Sequence, residues 1–280
     1  MRADPGIAGA APVPPMRVVI VTLDRHFAAA VERVTRSFAA EAPGLELRLF
    51  AATDWAESPE ALGAAKAAIA EADIILSAML FLDDHIRAIL PDLEARRADC
   101  DAIVSIVSAQ EIIKLTRAGR LDMAKPDRGP MALLKKLRGK RGEGKTSSSG
   151  AGQMAMLRRI PKILRFIPGT AQDLRAYFLA MQYWLSGSDD NLANLVRMLV
   201  DRYAAGPRAG WRGRLAVAAP VEYPETGLYH PDIPGRVGEA LEALPAEGSA
   251  GTVGLIILRS YVLARDAGHY DGVIRAMEAR

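Results

Sequence analysis

The side chains best suited to acid–base chemistry lie in the last fifth of the chain. Glu225 and His230 fall in a proline-punctuated loop, Arg259 follows an apolar run, and His269 begins the last helical pattern. Carboxylate and imidazole groups can take up protons, and carboxylate oxygens can bind hard cations. Glu225, His230 and His269, together with the neighbouring cation Arg259, are the predicted substrate-binding residues. The alternative is that His230 caps a proline-rich turn and His269 merely starts a helix.

Other patterns with chemical potential are weaker. Residues 139–146, GKRGEGKT, match the phosphate-binding loop letter for letter. No strand pattern precedes this stretch and no helix pattern follows it, so no nucleotide site is predicted at Lys145. His26 follows a predicted strand, where a lone histidine is more typical of a cap or a solvent-facing residue. Paired cysteines and the H-E-x-x-H pattern are absent from the sequence, so no metal site is assigned.

The first half of the chain alternates between strand and helix patterns. Short β-branched runs predict strands, and three- to four-residue apolar spacing predicts the helices between them. The predicted strands cover residues 16–23, 45–51, 73–79 and 102–107, and the helices cover residues 27–38, 58–70, 82–94 and 110–117. Ser58 is expected to cap the second helix, with Pro59 at its first position. Parallel strands need crossover connections, so this alternation predicts an open parallel sheet with flanking helices, an α/β fold.

A helical hairpin is predicted at residues 170–199. Thr170 is expected to cap its first helix, with Asp173 completing a capping box, and Gly187 is expected to end that helix in left-handed geometry. Ser188 restarts the second helix, with two aspartates in its first turn. The first helix carries an apolar stripe of Leu174, Tyr177, Phe178, Met181, Trp184 and Leu185. Such a stripe is typical of a core, and the alternative is a flat platform for a planar ligand.

The remaining segments predict a second, incomplete layer. Apolar runs at residues 215–221 and 251–258 predict strands, the latter buried, and a helix is expected at residues 269–280. A further helix is expected at residues 154–166. The predicted division is a disordered tail (1–15), an α/β amino-terminal domain (16–129), a basic Gly/Ser-rich loop (130–152), a helical hairpin block (153–205) and the beginning of a truncated second α/β domain (206–280). The sequence thus reads as cut in the middle of a domain, because a parallel strand that would pair with the last unit is missing.

Composition excludes several classes of protein. The chain has 280 residues, half of them hydrophobic, and a formal net charge of +3. This balance is typical of a globular protein and does not indicate nucleic-acid binding. The lone cysteine, Cys100, cannot form an internal disulfide, and no secretory leader pattern occurs, so a cytoplasmic location is expected. No apolar run is long enough for a spanning helix, so any membrane contact is expected to be peripheral.

A family resemblance rests on the hairpin and two flanking motifs. QDLRAYFLAMQYWLSGSDDNLANLVRML, with the lead-in PKILRFIP and the later TGLYHP, resembles the large porphyrin-binding subunit of magnesium chelatase. The cobaltochelatase large subunit is similar and shares a looser YW…G…DNL pattern. The resemblance covers nearly all of residues 16–280, and the hairpin is its most specific part. Because the family's large subunit is several times longer, the resemblance implies that this chain corresponds to its amino-terminal portion.

The resemblance implies a function for the whole subunit. That subunit inserts Mg²⁺ into protoporphyrin IX in (bacterio)chlorophyll biosynthesis, and partner motor subunits bind and hydrolyse the ATP. The expected partners of this chain are therefore protoporphyrin IX and the motor subunits. The catalytic residues are expected outside this portion, so the chain alone is expected to be inactive. The alternatives are a cobaltochelatase fragment and a non-enzymatic porphyrin-binding or docking module.

Overall fold

A six-stranded, mostly parallel sheet forms the centre of the computed structural model, which describes residues 13–125, 158–233, 236–245 and 253–279. The strand order is β2-β1-β3-β4-β5-β6; β1 to β4 are parallel, and β5 and β6 are antiparallel additions at one edge. The strands are β1 (Met16–Thr22), β2 (Leu45–Ala51), β3 (Ile74–Ala78), β4 (Ala102–Ile106), β5 (Arg117–Ala118) and β6 (Leu121–Asp122). The α/β fold class and all four main strands predicted from the sequence are confirmed.

Helices cover both faces of this sheet. They are α1 (Ala28–Glu41), α2 (Pro59–Glu71), α3 (Asp83–Arg96), α4 (Gln110–Ile113), α5 (Thr170–Leu185), α6 (Asp189–Tyr203), α7 (Arg259–Leu263) and α8 (Gly268–Glu278), with a helical stretch at residues 158–164. Short 3₁₀ segments lie at Ala52–Trp55, Gly206–Trp211 and Leu241–Ala243, and β7 (Leu228–Tyr229) pairs with β8 (Val237–Gly238). Among the residues described, no helix combines the length and the apolar character needed to cross a bilayer.

The alternation of side chains along each strand divides the core into two halves. In β1, Val18 and Ile20 join a cluster with α1, α5 and α6, whereas Val19 and Val21 join a cluster with α2 and α3. Successive side chains of a strand point to opposite faces, so one apolar strand contributes side chains to both clusters. The hairpin helices therefore share a core with the first sheet. The boundaries of the predicted domains remain a prediction.

The hairpin is confirmed, but two of its predicted termini are wrong. Gly169, with φ +78°, is the N-cap of α5, and Thr170 makes no capping hydrogen bond. Asp173 instead accepts a hydrogen bond from the backbone N–H of Arg120 at 2.8 Å. The second cap is correct: the Ser188 hydroxyl accepts from the N–H of Asn191 at 3.3 Å at the start of α6.

Gly187 has a packing role rather than the predicted left-handed conformation. The helix α5 ends at Leu185 with Ser186 as its C-cap, and Gly187 is not among the positive-φ residues. A Cβ atom built at Gly187 would lie 2.2 Å from Cε1 of Phe27. The glycine therefore lets the turn between α5 and α6 approach an aromatic ring at the end of the sheet. The apolar stripe of α5 is core, as favoured from the sequence: Leu174, Tyr177, Phe178 and Trp184 are buried.

Three predicted elements differ from the structure. The helix predicted at residues 110–117 ends at Ile113, because Arg117 pairs with β4 as part of β5. Residues 215–221 form no strand. Their backbone is bound by two side chains of α6: the Asn194 Oδ1 accepts from Ala218 N at 2.8 Å, and the Asn191 Oδ1 accepts from Val221 N at 2.9 Å. These amides replace the neighbouring strand that the apolar pattern requires.

The third difference is at residues 251–258. The described part, 253–258, is neither a strand nor buried, and the side chain of Ile256 is 99% exposed. Among the described residues, no strand pairs with it. A strand needs a hydrogen-bonded neighbour, so the β-branched pattern alone does not produce one. The last helix is confirmed as α8.

Several predictions fall outside the described residues. They are most of the tail at residues 1–15, the basic loop at residues 130–152 with its GKRGEGKT motif, and the start of the helix predicted at residues 154–166. Residues 13–15 are described and contact the fold: the Pro14 carbonyl accepts from Nε1 of Trp211 at 2.9 Å.

Candidate functional site

The carboxyl end of β1 carries a histidine oriented by a carboxylate. In open α/β sheets this edge is where ligands usually bind, and here the strand order reverses between β1 and β3. The Asp24 Oδ1 is hydrogen-bonded to Nδ1 of His26 and accepts from the His26 backbone N–H at 3.2 Å. His26 is 6% exposed. Such a pair fixes the orientation of the imidazole.

Two aromatic residues and a second histidine from the last two helices extend this pair. The ring of Tyr261 lies 5.8 Å from that of His26 and 5.2 Å from that of His269, and the Tyr270 ring lies 3.9 Å from that of His269. We call His26, Tyr261, His269 and Tyr270 the histidine–tyrosine cluster. His269 is exposed, and no described residue makes a hydrogen bond to its ring. Its imidazole is therefore open to an incoming ligand.

A partly buried arginine holds the last two helices against the first sheet. Arg33 of α1 donates from Nη2 to the Ala264 carbonyl at 2.7 Å and forms a bidentate pair with Asp189, at 2.7 and 2.8 Å. The hydrogen bond with Asp189 raises the pKa of Arg33. Burial, followed by the charge of Asp24, raises the pKa of Tyr261. This anchor explains how residues distant in sequence meet at one end of β1.

Glu225 and Arg259 come close together, but each is held by the chain itself. Arg259 donates from Nε to the Pro224 carbonyl at 2.6 Å and from Nη2 to the Tyr223 carbonyl at 3.1 Å. Glu225 pairs with Arg158 at 3.3 Å. Burial, and then the charge of Arg158, lowers the pKa of Arg259. The bonds of Arg259 close the loop after residue 222 onto the start of α7.

His230 lies apart from this pair and has both ring nitrogens occupied. Its Nδ1 accepts from the Asp232 N–H at 3.1 Å, and its Nε2 donates to Glu278 at 2.7 Å. The hydrogen bond from His230 lowers the pKa of Glu278. A ligand could use this ring only if one of these bonds opened. The capping role considered from the sequence matches the bond to Asp232.

The structure thus brings the four predicted residues to three places. Arg259, at the start of α7, binds the loop that carries Glu225. His230 is bound to α8, and His269 joins His26, which the sequence did not favour as a site. Tyr261 was missed, and its contact with His26 leaves no local signal, because His26 lies at the other end of the chain. Among the described residues, no group of three or more acidic, histidine or cysteine side chains could hold a metal ion.

Two family models match consecutive parts of the chain. A domain of unknown function, DUF3479, matches residues 17–178, and the CobN/Magnesium Chelatase model matches residues 181–280. The junction between them falls within α5, so both models contribute helices to one core. The first model alone covers more than half of the chain.

Curated relatives match nearly the whole chain. The magnesium-chelatase H subunit of Cereibacter sphaeroides is 52% identical and that of Rhodobacter capsulatus 50% identical, each over 98% of this chain. The chloroplastic magnesium-chelatase ChlH subunit of Oryza sativa subsp. indica is 26% identical over 96% of the chain and is matched over 20% of its own length. The chain spans 23% of the length of the two bacterial relatives. On these matches, the chain belongs to the family of magnesium-chelatase H subunits.

Proposed function

We propose that the chain is part of the porphyrin-binding subunit of a magnesium chelatase. The complete enzyme inserts Mg²⁺ into protoporphyrin IX in (bacterio)chlorophyll biosynthesis, and separate motor subunits hydrolyse the ATP. The observation that carries this proposal is the 52% identity to a magnesium-chelatase H subunit over 98% of the chain. The hairpin motif that carries the family resemblance lies inside that match.

Within this enzyme, the chain acts as a scaffold and as a contact for the porphyrin. Arg259 and His230 already bind groups of the chain itself, which suits a structural role. His269 has an open imidazole beside the rings of Tyr261 and Tyr270. Flat aromatic rings and an imidazole are groups that can stack on a macrocycle and accept a pyrrole proton. The histidine–tyrosine cluster is therefore the proposed porphyrin contact, with Glu225 and Arg259 as the nearby polar groups.

Porphyrin titration of the chain tests this proposal. Trp184 lies 4.7 Å from Phe27, whose ring in turn lies 3.8 Å from His26, so its fluorescence should be quenched by a porphyrin bound at the cluster. We expect His269→Ala to weaken quenching by protoporphyrin IX about tenfold, which corresponds to about 1.4 kcal/mol. The matched control is His85→Ala on α3, beside Trp55, which should leave binding unchanged. Equal binding by both variants would remove the cluster from the proposal.

A chelatase assay tests the scaffold role separately. The chain should give no turnover with Mg²⁺, protoporphyrin IX, ATP and the motor subunits. Turnover by the chain alone would show that it holds a complete reactive centre and would contradict the proposal.

The matching model names CobN together with magnesium chelatase, so a cobaltochelatase is the second candidate. Metal selectivity of an assembly that contains the chain distinguishes the two enzymes. A chain that binds porphyrin but supports insertion of neither metal would be a non-enzymatic docking module.

A further inference from the structure

A short surface segment before α5 exposes large apolar side chains among cations. It comprises the helical residues 158–164 and the turn that follows. Ile163 is 66% exposed and Phe166 is 84% exposed. Arg159, Lys162 and Arg165 are exposed beside them. We call these five residues the basic apolar patch.

The backbone of this patch is fixed by the core beneath it. Ile160 and Leu164 are buried in the cluster that contains α5 and α6. The amide Nε2 of Gln172 in α5 donates to the carbonyls of Leu164 at 2.9 Å, Arg165 at 3.1 Å and Ile167 at 2.5 Å. These bonds satisfy carbonyls at the end of the helical stretch. The exposure of Phe166 is therefore a feature of the fold and not of a frayed end.

The cations of the patch have no acidic partners in the described structure. Arg159, Lys162 and Arg165 form no ion pair with any carboxylate of the described residues, whereas neighbouring Arg158 pairs with Glu225. Arg175 adds a further cation at the edge, since its Nε donates to the Pro161 carbonyl at 3.1 Å. The patch is thus a positively charged surface with apolar side chains that protrude from it.

Leu241 and residues 253–258, the other most exposed apolar groups of the described residues, lack this combination. Residues 253–258 contain no charged residue, and Leu241, which is 71% exposed, lies between Glu239 and Glu242 in the sequence. Exposed apolar side chains next to cations are typical of protein surfaces that bind anionic membranes, where the rings enter the interface and the cations meet the headgroups. An anionic membrane would repel the glutamates beside Leu241.

We propose that the basic apolar patch docks the protein on a membrane surface rich in anionic lipid. Two contributions combine: the cations are attracted to lipid phosphates, and Phe166 and Ile163 bury apolar area in the interface. Neither contribution alone gives stable attachment, so the binding is reversible and sensitive to salt. An acidic protein surface is the other conceivable occupant, and the experiment below separates it from the membrane.

Vesicle co-sedimentation of the full chain is the test. The vesicles contain equal parts of phosphatidylglycerol and phosphatidylcholine, or phosphatidylcholine alone. The chain should sediment with the anionic vesicles, should be released by high salt, and should stay in solution with the neutral ones. Lys162→Gln with Arg165→Gln should weaken binding about 25-fold, at about fivefold for each cation. Ile163→Ser with Phe166→Ser should weaken it about tenfold or more.

Two control variants match these changes. Leu241→Ser removes an equally exposed apolar side chain from an acidic environment, and Arg87→Gln removes an exposed cation that is paired with Asp83 and Asp84. Both should sediment like the unmodified chain. Circular dichroism melts check that each variant is folded, and the substituted cations are exposed, so the charge variant should fold normally. Failure to bind anionic vesicles, equal binding to neutral vesicles, or unchanged binding by both patch variants would overturn the proposal.

Discussion

In the first sheet, apolar sequence runs form the strands that they predict. In the last seventy residues, a similar run forms no strand. Residues 16–22 and 253–258 are both short, mostly β-branched or aliphatic runs. The first forms β1, paired on both sides by parallel neighbours and almost entirely buried. The second is an exposed extended segment without a neighbouring strand among the described residues. The comparison teaches that an apolar pattern specifies a strand only when the fold supplies its hydrogen-bond partners.

Different interactions hold the two regions. The first region depends on two apolar clusters, one on each face of the sheet. In residues 212–279 few of the described apolar side chains are buried, and the segments are held by side-chain bonds such as those of Arg259 and His230. Directional polar bonds fix a local conformation but contribute modestly to global stability, because each replaces a bond to water.

The largest expected effect comes from a matched pair of isoleucine truncations, one in each of the two regions. Ile75→Ala in β3 removes a side chain from the core and leaves a cavity, so it should lower the free energy of unfolding by about 2–5 kcal/mol. Ile256→Ala removes a fully exposed side chain and should change it by less than about 0.5 kcal/mol. Urea denaturation measures both. A comparable loss in the two variants would show that residues 253–258 pack more tightly than the structure describes.

A matched pair of glycine substitutions probes packing in the same two regions. Gly187→Ala would place a Cβ against Phe27, whose ring also contacts Trp184 and His26, so we expect a loss of about 1–3 kcal/mol. Gly272→Ala in α8 meets nothing within 4 Å and should raise helix stability by up to about 1 kcal/mol. Thermal melts should therefore shift in opposite directions, and a stable Gly187→Ala variant would contradict the close approach.

Alkaline pH tests burial of the hairpin. Burial raises the pKa of Tyr177 to about 12. The unfolded chain loses this proton near pH 10, before the folded protein does, so stability is complete below about pH 10 and is lost as pH rises toward 12. As pH approaches 12, the free energy of unfolding of Tyr177→Phe should fall by roughly 1–3 kcal/mol less than that of the unmodified chain. Its stability at neutral pH should change little, and an unaltered alkaline slope would show that Tyr177 is more accessible than in the structure.

The smallest effect is expected from a surface ion pair of the first region. Arg197 of α6 binds Glu41 of α1 in a bidentate pair, at 3.1 and 2.6 Å. Because both groups reach solvent, Glu41→Gln should lower stability by only about 0.2–1 kcal/mol, and less at high salt. Denaturation at low and high salt checks this. A loss above that range that falls at high salt would mean that charge, and not only the apolar core, holds α1 against α6.

Several elements were predictable because their signals are local. The Ser58 and Ser188 caps need only the residues that follow them, and both hydroxyls accept the expected backbone N–H. The Gly187 prediction failed because its reason is an approach to Phe27 from the other end of the chain. Residues 215–221 were mistaken for a strand because Asn191 and Asn194, which bind their backbone, lie on a different element.

In the candidate site, too, some features were predictable from the sequence and others were not. The nomination of His269 as a substrate contact came from its imidazole and its position at the start of the last helical pattern, and it remains a prediction. The proximity of His269 to His26, Tyr261 and Asp24 could not be predicted from the spacing of residues in the sequence. Arg33 brings the last two helices to the end of β1 through a tertiary contact.

By itself, the sequence determined the α/β class, the four parallel strands, the helical hairpin and the family, since all of these depend on local periodicity or on motif letters. Only the tertiary structure decided which apolar runs became strands, which histidine stayed open, and where cations and apolar side chains meet on the surface. The physical reason is that hydrogen-bond partners, burial and charge neighbours are supplied by distant segments, and a local pattern carries no information about them.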